Sequence, residues 1–274
     1  MFQISLAEWS LHRALESGKL DHMDFPKVAR NDFGIHAIEL VNTFFKAKAK
    51  DQDYLAEFRK RADDFGVKAL LIMCDHEGNV GDAEPEARKN AIENHRKWLE
   101  AAKFLGCHSI RVNAYSSGTP EEQKEFVSEG LHTLSEAAAK LELSVLVENH
   151  GGLSSNAAWL ASVIRKVNLP NCGTLPDFGN WKLADGTEYD RYQGLTELMP
   201  FAKSVSAKSR DFDASGNEAH SDYRRMVQIV LAAGYHGHLG IEYSGEQISE
   251  AEGILTTKRL LEIVRAEFSR NQVN

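Results

Sequence analysis

The sequence predicts an α/β protein that folds as a single (β/α)₈ barrel over residues 1–274. Its length of 274 residues suits one such barrel. Strand-like runs alternate with helical patterns eight times, which implies parallel strands joined by helical crossovers. An open doubly wound sheet is the alternative, but the sequence lacks the phosphate-binding motifs GxGxxG and GxxxxGK[ST]. Eight repeats without those motifs favour the closed barrel.

The predicted strands are short runs that are β-branched or alternate between apolar and polar residues. They cover residues 2–6, 37–41, 67–73, 109–113, 144–148, 173–176, 204–208 and 238–243. The clearest helices cover 85–105 and 119–141, where apolar residues recur at three- and four-residue steps. The second begins with Thr-Pro-Glu-Glu at 119–122, a typical helix start. Three glycines, Gly66, Gly106 and Gly234, each stand between a helical run and a strand, as helix terminators do.

Composition and charge exclude several classes of protein. The 40 acidic residues outnumber the 32 basic ones, giving a net charge of −8, so we expect no nucleic-acid partner. No apolar run approaches the roughly 18 residues that span a bilayer, and the first fifteen residues do not resemble a secretory signal. We therefore predict a cytoplasmic protein without a membrane partner. The three cysteines are scattered, which indicates reduced thiols.

In a barrel of this kind, chemistry is located at the carboxyl ends of the strands, so polar residues can be sorted by strand end. Four histidines precede or open strands and are expected on the opposite face: His36, His108, His236 and His238. Three follow strand ends and are expected at the mouth of the barrel: His12, His76 and His150. For each of these three, a structural role and a role in the site are equally compatible with the sequence.

Three carboxylates indicate a functional site more specifically than these histidines do. Glu148, Asp177 and Glu242 end the fifth, sixth and eighth predicted strands. Steps of 29 residues lead from Glu148 to Asp177 and on to Ser206, and a step of 36 leads to Glu242, so each step is one strand-helix unit. Three converging carboxylates repel one another unless a cation lies between them. We therefore predict a divalent metal site, the alternative being pairing of single acids with Lys208, Arg111 or a helix N-terminus.

At these residues the sequence resembles the xylose isomerase-like TIM-barrel superfamily, also called the sugar phosphate isomerase/epimerase family. The matching segments are WSLHRAL, FGIHAIEL, VENHGG, PDFGNW and GYHGHLGIEYSGE. The resemblance implies a metal held by Glu, Asp, His and Glu, of which three carry over to Glu148, Asp177 and Glu242. Ser206 takes the place of the histidine. This nearly all-oxygen ligand set favours Mn²⁺ or Mg²⁺ over Zn²⁺.

The resemblance also implies an activity: a divalent-metal-dependent isomerase or epimerase of a keto-sugar, a cyclitol or a related polyol derivative. Glu148 and Glu242 would transfer the proton beside the metal-chelated carbonyl. A lyase of the inosose dehydratase type would use the same enolate. An endonuclease would need several zinc-binding histidines and a basic path for DNA, and neither is evident. A degenerate, non-catalytic sugar-binding barrel is the third alternative, suggested by Ser206.

The remaining predicted site residues would bind a small sugar or polyol. Lys208 would stabilise an enediolate oxygen or else pair with Asp177 or Glu242, and the sequence supports both readings equally. The other candidates for substrate binding are His12, Asn113, His150 and Asn180. Asn180 stands where several epimerases have a substrate-contacting histidine. No cluster of Arg or Lys marks a phosphate site, and the sequence leaves the oligomeric state open.

Overall fold

Eight parallel strands form one sheet that closes on itself. The computed structural model describes residues 1–271, so the last three residues of the predicted domain, 272–274, lie outside the described residues. The strands are β1 Gln3–Ala7, β2 Ala37–Val41, β3 Lys68–Met73, β4 Ser109–Val112, β5 Ser144–Glu148, β6 Cys172–Leu175, β7 Val205–Ser209 and β8 His238–Tyr243. Their order in the sheet is β6-β5-β4-β3-β2-β1-β8-β7. The two edges meet through backbone bonds, among them those from the N–H of Ser206 to the carbonyl of Pro176 and from the N–H of Phe178 to the carbonyl of Ser206.

Helices follow the strands and cover the outside of the sheet. They are α1 His12–Glu16, α2 Phe25–Asn31, α3 Gln52–Asp64, α4 Pro85–Leu105, α5 Pro120–Ala139, α6 Ala157–Val167, α7 Arg191–Leu198, α8 Tyr223–Ala232 and α9 Glu250–Asn271. Within residues 1–271, none of these helices combines the length and the apolar character needed to cross a membrane.

The structure confirms the predicted barrel and places every strand boundary within one residue of its predicted position. The Thr119 side chain caps α5 and Glu122 bonds back to the Thr119 N–H, which completes a capping box. Gly106 ends α4 in a left-handed conformation with φ of 80°. The three cysteines are buried and free.

Alternation along the strands divides the buried side chains between two regions. The larger apolar region lies between the sheet and the helices. The smaller one lies inside the barrel, where it shares the space with polar side chains on the same strand faces; its members are Ala7, Val41, Leu71, Met73, Leu146 and Leu175. A barrel interior filled this way is a packed floor, and the open space lies above it at the carboxyl ends of the strands.

One carboxyl group, that of Glu39 on β2, is buried in this floor. Its Oε1 accepts a hydrogen bond of 2.6 Å from Ser5 Oγ, and its Oε2 has no partner. The carboxyl group fits because residue 240 is glycine: a Cβ there would lie 2.5 Å from Glu39 Oε1. Burial, together with the charges of Glu242 and Glu148, raises the pKa of Glu39 to about 7 against the opposing effect of the Ser5 hydrogen bond.

We predict that Glu39 makes the barrel less stable as the pH rises. The unfolded carboxyl group has a pKa near 4.3, and the folded one a pKa of about 7, so the folded state holds the proton more tightly. Its contribution is intact below about pH 4.3 and is lost as the pH rises toward 7. Glu39→Gln should therefore raise the free energy of unfolding at pH 8 by up to about 3 kcal/mol, and by much less at pH 5.

Urea unfolding at both pH values measures this difference. The exposed Glu16 provides the control, because Glu16→Gln should leave the pH dependence unchanged. An equal gain from Glu39→Gln at pH 5 and pH 8 would contradict the prediction.

Candidate active site

Three carboxylates meet at the carboxyl ends of neighbouring strands. Glu148 ends β5, Asp177 follows β6 by two residues and Glu242 lies in β8. One oxygen of each lies within 4.8 Å of one oxygen of the other two, and all three side chains are buried. The structure thus brings together the three acids that the sequence analysis treated as a set.

Two residues of β7 face this group. Ser206 Oγ donates a hydrogen bond of 3.3 Å to Glu242 Oε2, and Lys208 Nζ lies 2.5 Å from Glu242 Oε1. Burial alone would raise the pKa of Glu242, but the charge and hydrogen bond of Lys208 outweigh it and lower that pKa. Of the two predicted roles for Lys208, the ion pair with Glu242 is present. The ammonium also borders the open space above the site.

A second buried cation, Arg111 of β4, reaches the cluster from the other side. Its Nε lies 3.0 Å from Glu148 Oε2, but the N–H is not directed at that oxygen, so the two form an ion pair without a hydrogen bond. Its Nη1 donates a bond of 2.8 Å to Asp75 Oδ1, which also accepts 2.8 Å from Asn113 Nδ2. Burial works against ionisation of Asp75, but these two donors lower its pKa to about 2. The sequence analysis had named Arg111 only as an alternative partner for one acid.

The cluster carries more negative than positive charge. If all groups ionise, four carboxylates face two cations, which leaves two negative charges; the groups are Asp75, Glu148, Asp177, Glu242, Arg111 and Lys208. Burial and the neighbouring Glu242 carboxylate raise the pKa of both Glu148 and Asp177 to about 7, against the opposing effects of Arg111 and Lys208. A divalent cation would supply the missing charge.

The donor atoms fit such an ion. Asp177 Oδ2 and Glu148 Oε2 are buried and have no hydrogen-bond partner among residues 1–271. The other Asp177 oxygen is fixed by the backbone N–H groups of Gly179 and Asn180, each at 2.8 Å. Since carboxylate and hydroxyl oxygens are the only donors, the set suits a hard cation such as Mg²⁺ or Mn²⁺.

Asn180 has a different position from the one expected of a substrate ligand. Its Nδ2 donates a bond of 2.9 Å to Glu148 Oε1, and its side chain does not border the cavity above the site. It therefore orients a candidate metal ligand. The backbone turn that begins at Asp177 brings it there.

A cavity of about 800 Å³ lies above the carboxylates. Of the three acids, Glu242 borders it, whereas Glu148 and Asp177 lie behind its wall. Three of the predicted substrate-binding residues, Asn113, His150 and Lys208, also line it, and Trp9 forms part of the wall. The size is typical of a small-molecule site.

His150 is held by Tyr115, a residue that the sequence analysis did not select. The Tyr115 hydroxyl donates 2.6 Å to the His150 carbonyl and lies 3.1 Å from His150 Nδ1, so Nδ1 carries the proton in this pair. Burial and the charges of Arg111 and Lys208 lower the pKa of His150. The imidazole is therefore neutral at pH 7, with Nε2 able to accept a proton.

His12 is turned away from the cavity. Its ring stacks on Trp9 with centroids 4.7 Å apart, its Nδ1–H donates to the Trp9 carbonyl, and it is absent from the residues lining the cavity. It thus supports the Trp9 ring from behind. A sequence does not reveal this distinction, because both residues follow the same strand end.

His76 lines the cavity in a left-handed backbone conformation, with φ of 61°. Both neighbours are anchored. Asp75 binds Arg111 as described, and the buried Glu77 accepts bonds from Trp98 Nε1 at 2.9 Å and Lys97 Nζ at 2.8 Å. Strained residues held in this way are concentrated at functional sites.

Comparisons with known proteins agree with this geometry. Residues 28–264 match the family model described as xylose isomerase-like TIM barrel. No functionally curated protein gives a significant match. Among solved structures, a D-tagatose 3-epimerase-like protein has a TM-score of 0.75 at 17% identity, with all of both chains covered. A xylose isomerase-like barrel from Mycobacterium smegmatis in complex with magnesium has a TM-score of 0.71 at 16% identity, with 97% of each chain covered.

The probable 3-DHS dehydratase AsbF from Bacillus anthracis has a TM-score of 0.68 at 16% identity, covering 95% of this chain and 99% of its own. At identities this low, the structural comparisons establish a shared fold and nothing more specific. The family match extends over most of the sequence and includes all three clustered acids. The chain therefore belongs to the xylose isomerase-like TIM-barrel family.

Proposed function

We propose that the protein is a divalent-metal-dependent isomerase or epimerase of a keto-sugar, a cyclitol or a related polyol derivative. One observation carries the proposal: three buried carboxylates with an unbalanced negative charge meet beside a cavity of about 800 Å³, and one of them, Glu242, borders it. The D-tagatose 3-epimerase-like neighbour and the magnesium complex support it. We also propose that the protein is cytoplasmic and that its substrate is a small sugar or polyol.

Glu148, Asp177 and Glu242 would hold Mn²⁺ or Mg²⁺, with the Ser206 hydroxyl as a weak fourth donor. The bound ion would polarise the substrate carbonyl and so acidify the neighbouring C–H. The protein fixes the ligands beforehand: Asn180 and Arg111 hold Glu148, and backbone N–H groups hold Asp177. Such support is what keeps ligand geometry constant.

Glu242 and Glu148 are the proposed proton-transfer groups. Glu242 borders the cavity, and Lys208 keeps it ionised, so it is suited to remove the proton from carbon. Glu148 lies on the β5 side of the carboxylate cluster, behind the cavity wall, and would return a proton from that side. Lys208 also borders the cavity, so its ammonium would bind the developing enediolate oxygen while it holds Glu242.

Elimination is the alternative reaction of the same enolate. The structural similarity to a probable 3-DHS dehydratase supports it as the second candidate. An epimerase returns the proton to carbon, whereas a lyase expels a β-hydroxyl group. NMR of a keto-sugar panel in deuterated buffer separates them, because only elimination yields a product that has lost water. Deuterium at the carbon beside the carbonyl, without loss of water, is the result we expect.

Variants of the two glutamates test the assignment. Glu148→Gln and Glu242→Gln should each reduce this deuterium exchange by at least about a hundredfold, because the amide is not a base. Glu100→Gln, which changes an exposed carboxylate on α4, is the control and should retain full exchange. Unchanged exchange in both site variants would exclude carboxylate-mediated transfer.

Metal binding is a separate prediction. Calorimetry with Mn²⁺ should detect one site per chain, and Asp177→Asn should weaken binding at least about tenfold, because it removes a charged ligand. Ser206→His should tighten binding by a similar factor and shift the preference toward Zn²⁺, since imidazole is a better ligand than a hydroxyl. A non-catalytic barrel without a metal site would bind Mn²⁺ equally weakly in all three proteins.

Gly179 tests the role of Lys208. A Cβ at residue 179 would lie 3.1 Å from Lys208 Cδ and 3.3 Å from Cγ, so Gly179→Ala should push the ammonium away from Glu242. We expect kcat to fall about tenfold, a loss of roughly 1.4 kcal/mol.

A double-mutant cycle provides the control for this prediction. In a Lys208→Met background the added methyl group should have little further effect on kcat, because the ammonium is already gone. Equal losses with and without Lys208 would show that Gly179 acts elsewhere.

A further inference from the structure

A third cation, Arg210, stands on the wall of the cavity. It is exposed and directly follows β7, and it borders the cavity together with Lys208. Arg111 and Lys208 are each paired with carboxylates, but Arg210 has no carboxylate within 4.0 Å of its guanidinium among residues 1–271. Its guanidinium also makes no hydrogen bond within that part of the chain. Its charge is thus available to a ligand.

The backbone beneath this side chain is fixed. The Arg210 N–H donates a bond of 3.3 Å to Glu218 Oε1, and the buried Glu218 also accepts bonds from the N–H groups of His220 and Ser221. On the other side, the Arg210 carbonyl packs so closely on residue 245 that a Cβ there would lie 1.9 Å away, which only glycine avoids. The backbone at Arg210 is therefore held in place, and its side chain extends from a fixed position.

Arg210 lies on the same cavity wall as Lys208, at a distance from the carboxylates that a sugar chain could span. Lys208 and Arg210 are two residues apart and border the same cavity, and two residues advance about 6.6 Å along extended chain. Lys208 reaches Glu242, so Arg210 lies farther toward solvent on the same wall. A five- or six-carbon chain with its carbonyl at the carboxylates would bring its far end to Arg210.

We infer that the substrate carries an anionic group, a carboxylate or a phosphate, at the end of the carbon chain distant from its carbonyl, and that Arg210 binds this group. The inference rests on the proposed function for the placement of the carbonyl. A guanidinium suits both anions, because its N–H groups can donate two parallel hydrogen bonds to them. A cation at this position would also offset the repulsion that the net charge of −8 exerts on an anionic ligand.

Unreactive ligands test the inference independently of catalysis. D-Glucitol, D-gluconate and D-glucitol 6-phosphate differ in their terminal group, and none has a ketone or an aldehyde. Calorimetry with metal-free protein in EDTA should show at least tenfold tighter binding of one of the two anions than of glucitol. The anion that binds more tightly identifies the terminal group.

Variants of Arg210 complete the experiment. Arg210→Met should abolish the preference for the anion, and Arg210→Lys should retain part of it. The control is Arg259→Met, since Arg259 is an exposed arginine on α9 that also lacks an acidic partner within the described residues, and it should change nothing. Equal binding of glucitol and both anions, or an anion preference that survives Arg210→Met, would overturn the inference.

The deuterium-exchange panel distinguishes failure of the inference from failure of the proposed function. Exchange on neutral keto-sugars that is unaffected by Arg210→Met would leave the isomerase proposal intact and exclude an anionic substrate. Arg210-dependent binding of the anions without exchange on any keto-sugar, keto-sugar acid or keto-sugar phosphate would support the anion site and exclude the proposed reaction.

Discussion

Repulsion among buried carboxylates is the constraint that organises the rim of this barrel. Glu148, Asp177 and Glu242 are buried close together at the ends of β5, β6 and β8, where water contributes little screening, and the partly buried Asp75 after β3 is linked to them through Arg111. Burying like charges in this way costs stability unless other groups compensate. The surrounding side chains and backbone groups are best understood as that compensation.

The compensation is partial and differs from acid to acid. Lys208 pairs with Glu242, Arg111 is shared between Asp75 and Glu148, and one oxygen of Asp177 accepts backbone N–H groups. Among residues 1–271, Asp177 Oδ2 has no hydrogen-bond partner, and Glu148 Oε2 has the charge of Arg111 beside it but no hydrogen bond. At the mouth of the barrel, these two oxygens are left with capacity for a further ligand. The unequal pairing of the acids favours a bound divalent cation over a purely structural network of ion pairs.

Much of this arrangement was predictable from the sequence, for a physical reason. Strand ends on a parallel barrel share one rim, so the spacing of Glu148, Asp177 and Glu242 was sufficient to predict their meeting. Side-chain pairing was not predictable in the same way. The turn after Asp177 determines that Asn180 faces Glu148, and the stacking on Trp9 turns His12 away. Such orientations depend on three-dimensional packing that no periodicity encodes.

The segment around His76 has a consequence for engineering. Asp75 and Glu77 anchor the loop through their own side chains, so its path does not depend on the imidazole between them. The left-handed conformation at residue 76 restricts the choice of side chain, and glycine, asparagine and aspartate tolerate it best. The wall of the cavity can therefore be altered at this one position, among a few small residues, without redesign of the loop that carries it.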